Sequence, residues 1–203
     1  NIKTLPAAKK KKIMLSVRNH AYFKELMLKV QGNGLDAEIA NYIYDKYKED
    51  SINVLNNKPY TLINVNGLDF KTIDKIAYIN NIKYDNDNRI KAIISSVIDL
   101  FVNNKGYICI KRDDLLKNIN SFIRRRAYFN RNLPVNVNIV NKIISKMVEE
   151  KGISETIYEG TSYIYKTNLY ITEKNVASYI NDFNNKENIG AMLLDNSSIN
   201  DFI

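Results

Sequence analysis

Cysteine and histidine are almost missing from this chain, and each scarcity removes a class of chemistry. One cysteine, Cys109, excludes an internal disulfide, and with a single histidine, His20, there is no zinc-ligand set. A reducing, cytoplasmic setting fits. Long apolar runs are missing too: none approaches the ~20 residues needed to cross a bilayer, so no membrane partner is expected. The lysine run Lys9 to Lys12 is not followed by a signal-peptide core, because Arg18, Asn19 and His20 interrupt it. None of the seven glycines is followed by lysine, which excludes the phosphate-cradling G-x-x-x-x-G-K-[ST] loop and with it bound ATP. Asp113-Asp114 and Glu149-Glu150 read as helix-end and solvated acids, and no nucleophile, base and orienting group stand in array. No catalytic residue, metal or cofactor is therefore assigned to the chain.

What is present is a core's worth of apolar residues, 45 % of 203, and a formal charge of +8. The excess is unevenly placed. Lysine plus arginine against aspartate plus glutamate stands at 14 to 8 in residues 1–84, 14 to 9 in 85–172 and 2 to 5 in 173–203. This distribution implies a polyanionic partner for the first two blocks, and an acidic tail. The chain begins at Asn1, as a piece of a longer one would.

A turn is repeated. Gly34-Leu35-Asp36 and Gly67-Leu68-Asp69 recur thirty-three residues apart, each followed by an apolar helix face, Ala40 and Ile43 in one copy and Ile73 and Ile76 in the other. This is the pattern of tandem helix–hairpin–helix units, in which a glycine turn presents backbone N–H groups at the start of a helix, a seat for a phosphate oxygen. In a basic chain it points to nucleic acid. The first unit takes a helix from about Tyr22 to Val30 and a second capped by Asp36; the other takes Ser51 to Asn57, a turn at Pro59, and a helix from Asp69 through Ile79.

Asp85-Asn86-Asp87-Asn88 is a polar break, read as the boundary between a domain at 1–84 and one at 85–183. After it come a long helix from Arg89 to Asn103, a short strand at Tyr107 to Ile110 and a helix from Asp113 to Phe122. Arg124-Arg125-Arg126 then opens a loop through Pro134, before a helix around Val140 to Val148. Two strands come next, Ile153 to Tyr158 and Tyr163 to Tyr165, joined by a turn at Glu159 to Ser162. Helix, strand, helix, helix, hairpin is the order of a winged helix. A further helix runs from Thr172 to Phe183, and residues 184–203, Asn-rich and acidic, read as a linker. The expected fold is mainly α: a tandem helix–hairpin–helix domain, then a winged-helix-like α+β domain.

The residues Lys58-Pro59-Tyr60 with Leu62, and Val65-Asn66-Gly67-Leu68-Asp69-Phe70-Lys71-Thr72-Ile73-Asp74-Lys75-Ile76-Ala77, resemble the second-hairpin signature of RecD-like DNA helicases, NPYRL followed after a spacer by GIGFKTADKIA. Arg89-Ile90-Lys91-Ala92, Gly106-Tyr107 and Leu169-Tyr170 with Glu173 resemble later landmarks, so the likeness covers about residues 5–180. It implies the N-terminal accessory region of a superfamily-one helicase, holding or steering single-stranded or forked DNA for a motor that binds ATP and magnesium; the motor's own loop is not in this sequence. Where the family has its second hairpin glycine this chain has Asp69, with Asp36 at the corresponding place in the first hairpin. A carboxylate there caps its helix but repels a phosphate on the same amides.

The expected DNA contacts are Asn66, Gly67, Lys71, Thr72 and Lys75 at the second hairpin, and Arg124, Arg125, Arg126, Lys142 and Lys146 around the winged helix. The alternatives are that the hairpins only pack and orient domains, that Lys71 and Lys75 are a solvated face, that the winged helix with its arginines serves as a protein contact, and that Lys9 to Lys12 is a solvated helix start or a flexible arm. At the level of the whole chain, the alternatives are a scaffold that docks a helicase to a replication or repair protein, and a stand-alone winged-helix regulator. The tyrosines fall mostly at core spacing, which argues against base stacking.

Overall fold

The computed structural model describes residues 6–65 and 67–197. In chain order the helices are α1 (Ala7–Gly32), α2 (Glu38–Tyr47), α3 (Ser51–Asn57), α4 (Phe70–Ile79), α5 (Asp87–Lys105), α6 (Arg112–Arg126), α7 (Val137–Glu149) and α8 (Thr167–Ser197). Single 3-10 segments stand at Lys48–Asp50 and Pro59–Asn64, and the strands are β1 (Cys109–Lys111), β2 (Ile153–Tyr158) and β3 (Thr161–Lys166). The described residues are mainly helical with one small antiparallel sheet, as expected.

Two compact units divide the chain. The first comprises the described residues up to Val97 together with Leu115–Ile144; the second comprises Ile98–Asp114 and the described residues from Ser145. The expected break at Asp85–Asn88 coincides with neither division. It lies inside the first unit as the N-terminus of α5, where the Asn86 side-chain oxygen accepts from the Asn88 amide at 2.9 Å in the manner of an N-cap.

The first unit is built on the faces that the repeat predicts. Ile39, Ala40 and Ile43 of α2 and Ile73, Ile76 and Ala77 of α4 are buried. With them lie Leu26 and Val30 of α1, Val54 and Leu55 of α3, and Ile93 and Ile94 of α5; α6 adds Leu115, Ile119, Phe122 and Ile123. Burying each of the valine, leucine, isoleucine and phenylalanine side chains among them contributes roughly 1.5–3 kcal/mol. Helix α1 is longer than the expected Tyr22 to Val30: it starts after Pro6, and Lys9 to Lys12 form the helix start, one of the two readings of that run, and not an arm. Alanine and lysine are good helix formers, and the proline presets the backbone at the start.

In the second unit the strands pair in the order β1-β3-β2, all antiparallel. Tyr158 faces Thr161, leaving Glu159 and Gly160 as a two-residue loop with φ of 48° and 73°. Positive φ at both positions is the type I′ turn that suits the twist of a hairpin. Glu155 accepts from Arg112 and from the Ser162 hydroxyl. Partial burial alone would raise its carboxyl pKa, but those bonds and the arginine's charge hold it below the usual value. Helix α8 runs on to Ser197, so the segment expected as a linker from Asn184 is helical up to there; it holds no proline, and Ala191, Met192, Leu193 and Leu194 favour helix. Residues 198–203 of that segment lie outside the described residues.

Candidate nucleic-acid interface

The second hairpin turn is fixed from both sides. Gly67 has φ of +80°, a conformation that side chains disfavour. Asp69 comes next but one, in extended conformation, as the N-cap of α4 and accepts from the Thr72 amide at 2.9 Å. The Thr72 hydroxyl also favours the ionised form of the same carboxylate. Partial burial pushes the Asp69 pKa up, but Thr72 and the positive charges of Arg126 and Lys71 outweigh it and hold the carboxyl below its ordinary range. Thr72 is therefore committed to the cap, and the amide that a phosphate oxygen would take is already occupied.

The dependence of Asp69 on Arg126 reports a proximity that the sequence did not announce. Arg124, Arg125 and Arg126 are exposed in the last turn of α6 rather than in a loop before the next helix. Cations there complement the carbonyl end of the helix dipole. Phe122, one turn earlier, meets Phe70 edge-to-face with centroids 5.2 Å apart. Since Phe70 is the first residue of α4, this contact brings the end of α6 to the second turn, within one unit. The arginines thus belong with the hairpin and not with a separate domain.

The two hairpins also face each other. A Cβ on Gly34 (φ +75°) would stand 3.6 Å from Lys75 Nζ, and one on Gly67 would stand 3.9 Å from Ile39 Cδ1. Each glycine therefore looks at the second helix of the other hairpin. Lys71 is exposed and Lys75 half-buried. Lys142 and Lys146 are exposed on α7, Lys142 within the first unit and Lys146 within the second. Asn66 lies outside the described residues. Asp36 does not cap: α2 starts at Glu38 with Ala37 as N-cap and no side-chain bond there. His20 is exposed on α1, and Cys109 is half-buried on β1.

Sequence reasoning missed the polar centre beneath this surface. Asp74 is fully buried in α4, facing Arg89 of α5, itself only 2 % exposed. Arg89 donates from Nε to Oδ1 at 2.8 Å and from Nη2 to Oδ2 at 3.1 Å. Asp74 also accepts from the Tyr60 hydroxyl at 2.8 Å, from the Tyr128 amide at 2.8 Å and from the Phe129 amide at 3.4 Å. Arg89 in turn reaches the carbonyls of Tyr84 and Phe129 at 3.1 and 3.0 Å. Burial first, and the Asp74 charge second, push the Tyr60 hydroxyl pKa well above its usual value, so it stays a donor. The signal was available: Asp74 falls between Ile73 and Ile76 on the buried face of an amphipathic helix, where a charge requires a partner.

Residues 19–109 match the family model described as the ATP-dependent RecD2 DNA helicase HHH domain. Over that span the chain is similar to a RecD2-type helix–hairpin–helix domain. The matched span takes in both glycine turns, the Asp69 cap and the Asp74–Arg89 pair. Comparison with curated proteins finds no match. No described helix is long and apolar enough to cross a membrane, and among the described residues no group of three acidic, histidine or cysteine side chains is placed to hold a metal ion.

Proposed function

We propose that the chain is the DNA-binding accessory region of a RecD-like, ATP-dependent DNA helicase, and that it holds or steers single-stranded or forked DNA for the motor. The RecD2 match over residues 19–109 carries this reading. The edge-to-face contact of Phe122 with Phe70, which brings the end of α6 to the second hairpin turn, supports it, as does the action of both Arg126 and Lys71 on the Asp69 carboxylate. With Asp69 on the α4 amide, phosphates are gripped by side chains, Lys71, Lys75 and Arg124 to Arg126, rather than by the helix terminus. ATP and magnesium belong to the motor. The order of β1, α6, α7, β2 and β3 supports a winged-helix-like second part, with Lys142 and Lys146 as further contacts.

Binding measured by fluorescence anisotropy against salt tests this. Affinity should vary little with sequence and fall with a log–log slope of roughly −0.7 for single strands, or −0.9 for duplex, per phosphate neutralised. Charge reversal at Lys71 and Lys75, or at Arg124 to Arg126, should flatten the slope. Absence of binding to single-stranded, forked and duplex DNA at low salt would remove the proposal. The exposed Ile13, Met14, Leu15 and Val17 of α1 favour a second reading, a scaffold for a replication or repair protein; such a chain would bind its partner and show no salt-dependent DNA binding.

A further inference from the structure

The segment that leaves α6 carries two features side by side. The first is aromatic. The Tyr128 ring lies 5.7 Å from that of Tyr78, which in turn lies 5.4 Å from Phe129. Tyr78 is 55 % exposed and Tyr128 38 %. Beneath them Phe129 is half-buried, with the Arg89 guanidinium 4.6 Å from its ring centre. Because the amides of Tyr128 and Phe129 donate to the buried Asp74 carboxylate, the backbone under Tyr128 is anchored in the core, and Tyr78 stands on helix α4. Exposed rings on a fixed backbone lose little freedom when a flat group stacks on them.

The second feature is a cleft of about 160 Å³ lined by Asn120, Arg124, Arg131, Asn132, Leu133 and Pro134. Arg131 is oriented by its Nε bond to the Ala127 carbonyl at 2.7 Å, which places its guanidinium beside the residue preceding Tyr128. The Asn120 side-chain oxygen accepts from the Val135 amide at 3.2 Å, which turns the NH2 donors of that side chain the other way. Neither arginine forms an ion pair with a carboxylate among the described residues. Two guanidinium groups around a small cleft match a phosphate.

We propose that Tyr78, Tyr128, Arg124 and Arg131 form a seat for one nucleotide of a single strand, its base on the tyrosines and its phosphate in the arginine cleft. The proposal rests on the DNA-binding reading above and adds a strand preference to it. A base within a duplex has both faces covered by its neighbours, whereas a single strand can turn one out onto an aromatic ring.

The test uses the whole chain and four labelled probes: an oligothymidylate, an abasic strand of equal length, a duplex, and polyglutamate. Tyr78→Ala with Tyr128→Ala should weaken oligothymidylate binding about tenfold while leaving the abasic strand and duplex unchanged, and Tyr128→Phe should bind as the parent. Arg124→Gln with Arg131→Gln should weaken both single strands and reduce the steepness of the salt dependence by about 0.7 per phosphate released. Circular-dichroism melting separates these effects from unfolding; the tyrosines and arginines are exposed, so an unchanged melt is expected. If the folded variants bind oligothymidylate like the parent, or the tyrosine variants lose the abasic strand equally, the seat is overturned and the DNA-binding reading stands. Tight polyglutamate binding that falls in the same variants would indicate an acidic protein surface and also overturn the seat. If the parent binds no DNA at low salt, both fall.

Discussion

The two hairpins share the triplet Gly-Leu-Asp, yet they start their helices differently. In the second, α4 begins at Phe70, three residues after the glycine, and Asp69 caps it; in the first, α2 begins at Glu38, four residues after the glycine, and Ala37 stands at the cap without a side-chain bond. The glycines themselves agree, with φ of +75° and +80°. The residue after each aspartate makes the difference. Phe70 is buried between Tyr60, at a ring separation of 6.3 Å, and Phe122, at 5.2 Å, and this anchor draws α4 one residue closer to its turn. Its counterpart thirty-three residues earlier is Ala37, which has no ring to anchor. A local motif thus fixes the turn, and a tertiary contact fixes the cap.

The largest difference should appear at the buried pair. Asp74 has Asn41 as its counterpart in the first hairpin, and Asn41 is exposed. Asp74→Ala leaves Arg89 buried without its carboxylate, with the amides of Tyr128 and Phe129 losing an acceptor, and should cost about 3–5 kcal/mol. Asn41→Ala should stay within about 0.5 kcal/mol. Denaturant titration of both variants measures the contrast. A loss below about 1 kcal/mol at Asp74 would mean that the pair does not hold the second hairpin to α5 and the loop after α6.

This contrast also marks how far the sequence could be read. Helix α4 was legible because Phe70, Ile73, Ile76 and Ala77 lie on one face at helical spacing, and because Phe70, Lys71, Thr72, Asp74, Lys75, Ile76 and Ala77 match a family signature. The repeat located both glycine turns, and the β2–β3 hairpin was legible from two β-rich runs around Glu159-Gly160. The Asp74–Arg89 pair was not foreseen, since pairing across fifteen residues depends on the angle between α4 and α5 and not on spacing. For the same reason Arg124 to Arg126 was placed in another domain: three like charges read as a break, whereas they continue α6 and complement its C-terminal dipole. The start of α1 was hidden because Ile13, Leu15 and Val17 alternate with a strand's period, and propensity decided a stretch that burial does not.

The turns themselves should respond alike. Gly34→Ala and Gly67→Ala each force a Cβ into the left-handed region, at a cost of about 1–2 kcal/mol. The new methyl would be in ordinary contact with Lys75 Nζ in one case and Ile39 in the other, so crowding adds little to either. Thermal melts that differ widely between the two variants would show that the shared φ conceals different surroundings.

A smaller effect should reside in the caps. Asp69→Ala removes the acceptor of the Thr72 amide and should cost about 1 kcal/mol, while Asp36→Ala should be near neutral. The first difference is also pH-dependent. The folded-state pKa of Asp69 lies below the ordinary value of 3.8, so its ionised form is stabilised by folding. That contribution is complete above the unfolded pKa and is lost as pH falls through the folded one. The gap in stability between parent and Asp69→Ala should therefore hold near neutrality and narrow below pH 3.8. A gap that widened with acid would reverse the sign and exclude the cap as its source.

The smallest predicted effect concerns DNA and bears on whether the two turns differ in function. Asn is as good an N-cap as Asp, so Asp69→Asn keeps the α4 start while removing a negative charge beside Lys71 and Arg126. One charge several ångströms from a phosphate in a water-like medium contributes on the order of 0.5 kcal/mol, so DNA affinity at low salt should rise about twofold to threefold, and the gain should fade as salt approaches a screening length comparable with that separation. Asp36→Asn offers the control, because it changes the net charge equally at a turn with an acidic residue, Glu38, in the first turn of its helix. Paired anisotropy titrations of the two variants against one oligonucleotide decide the matter. A larger rise for Asp69→Asn places the phosphate path at the second hairpin beside the α6 arginines. Equal rises would assign the effect to net charge alone and erase the distinction between the hairpins as DNA contacts.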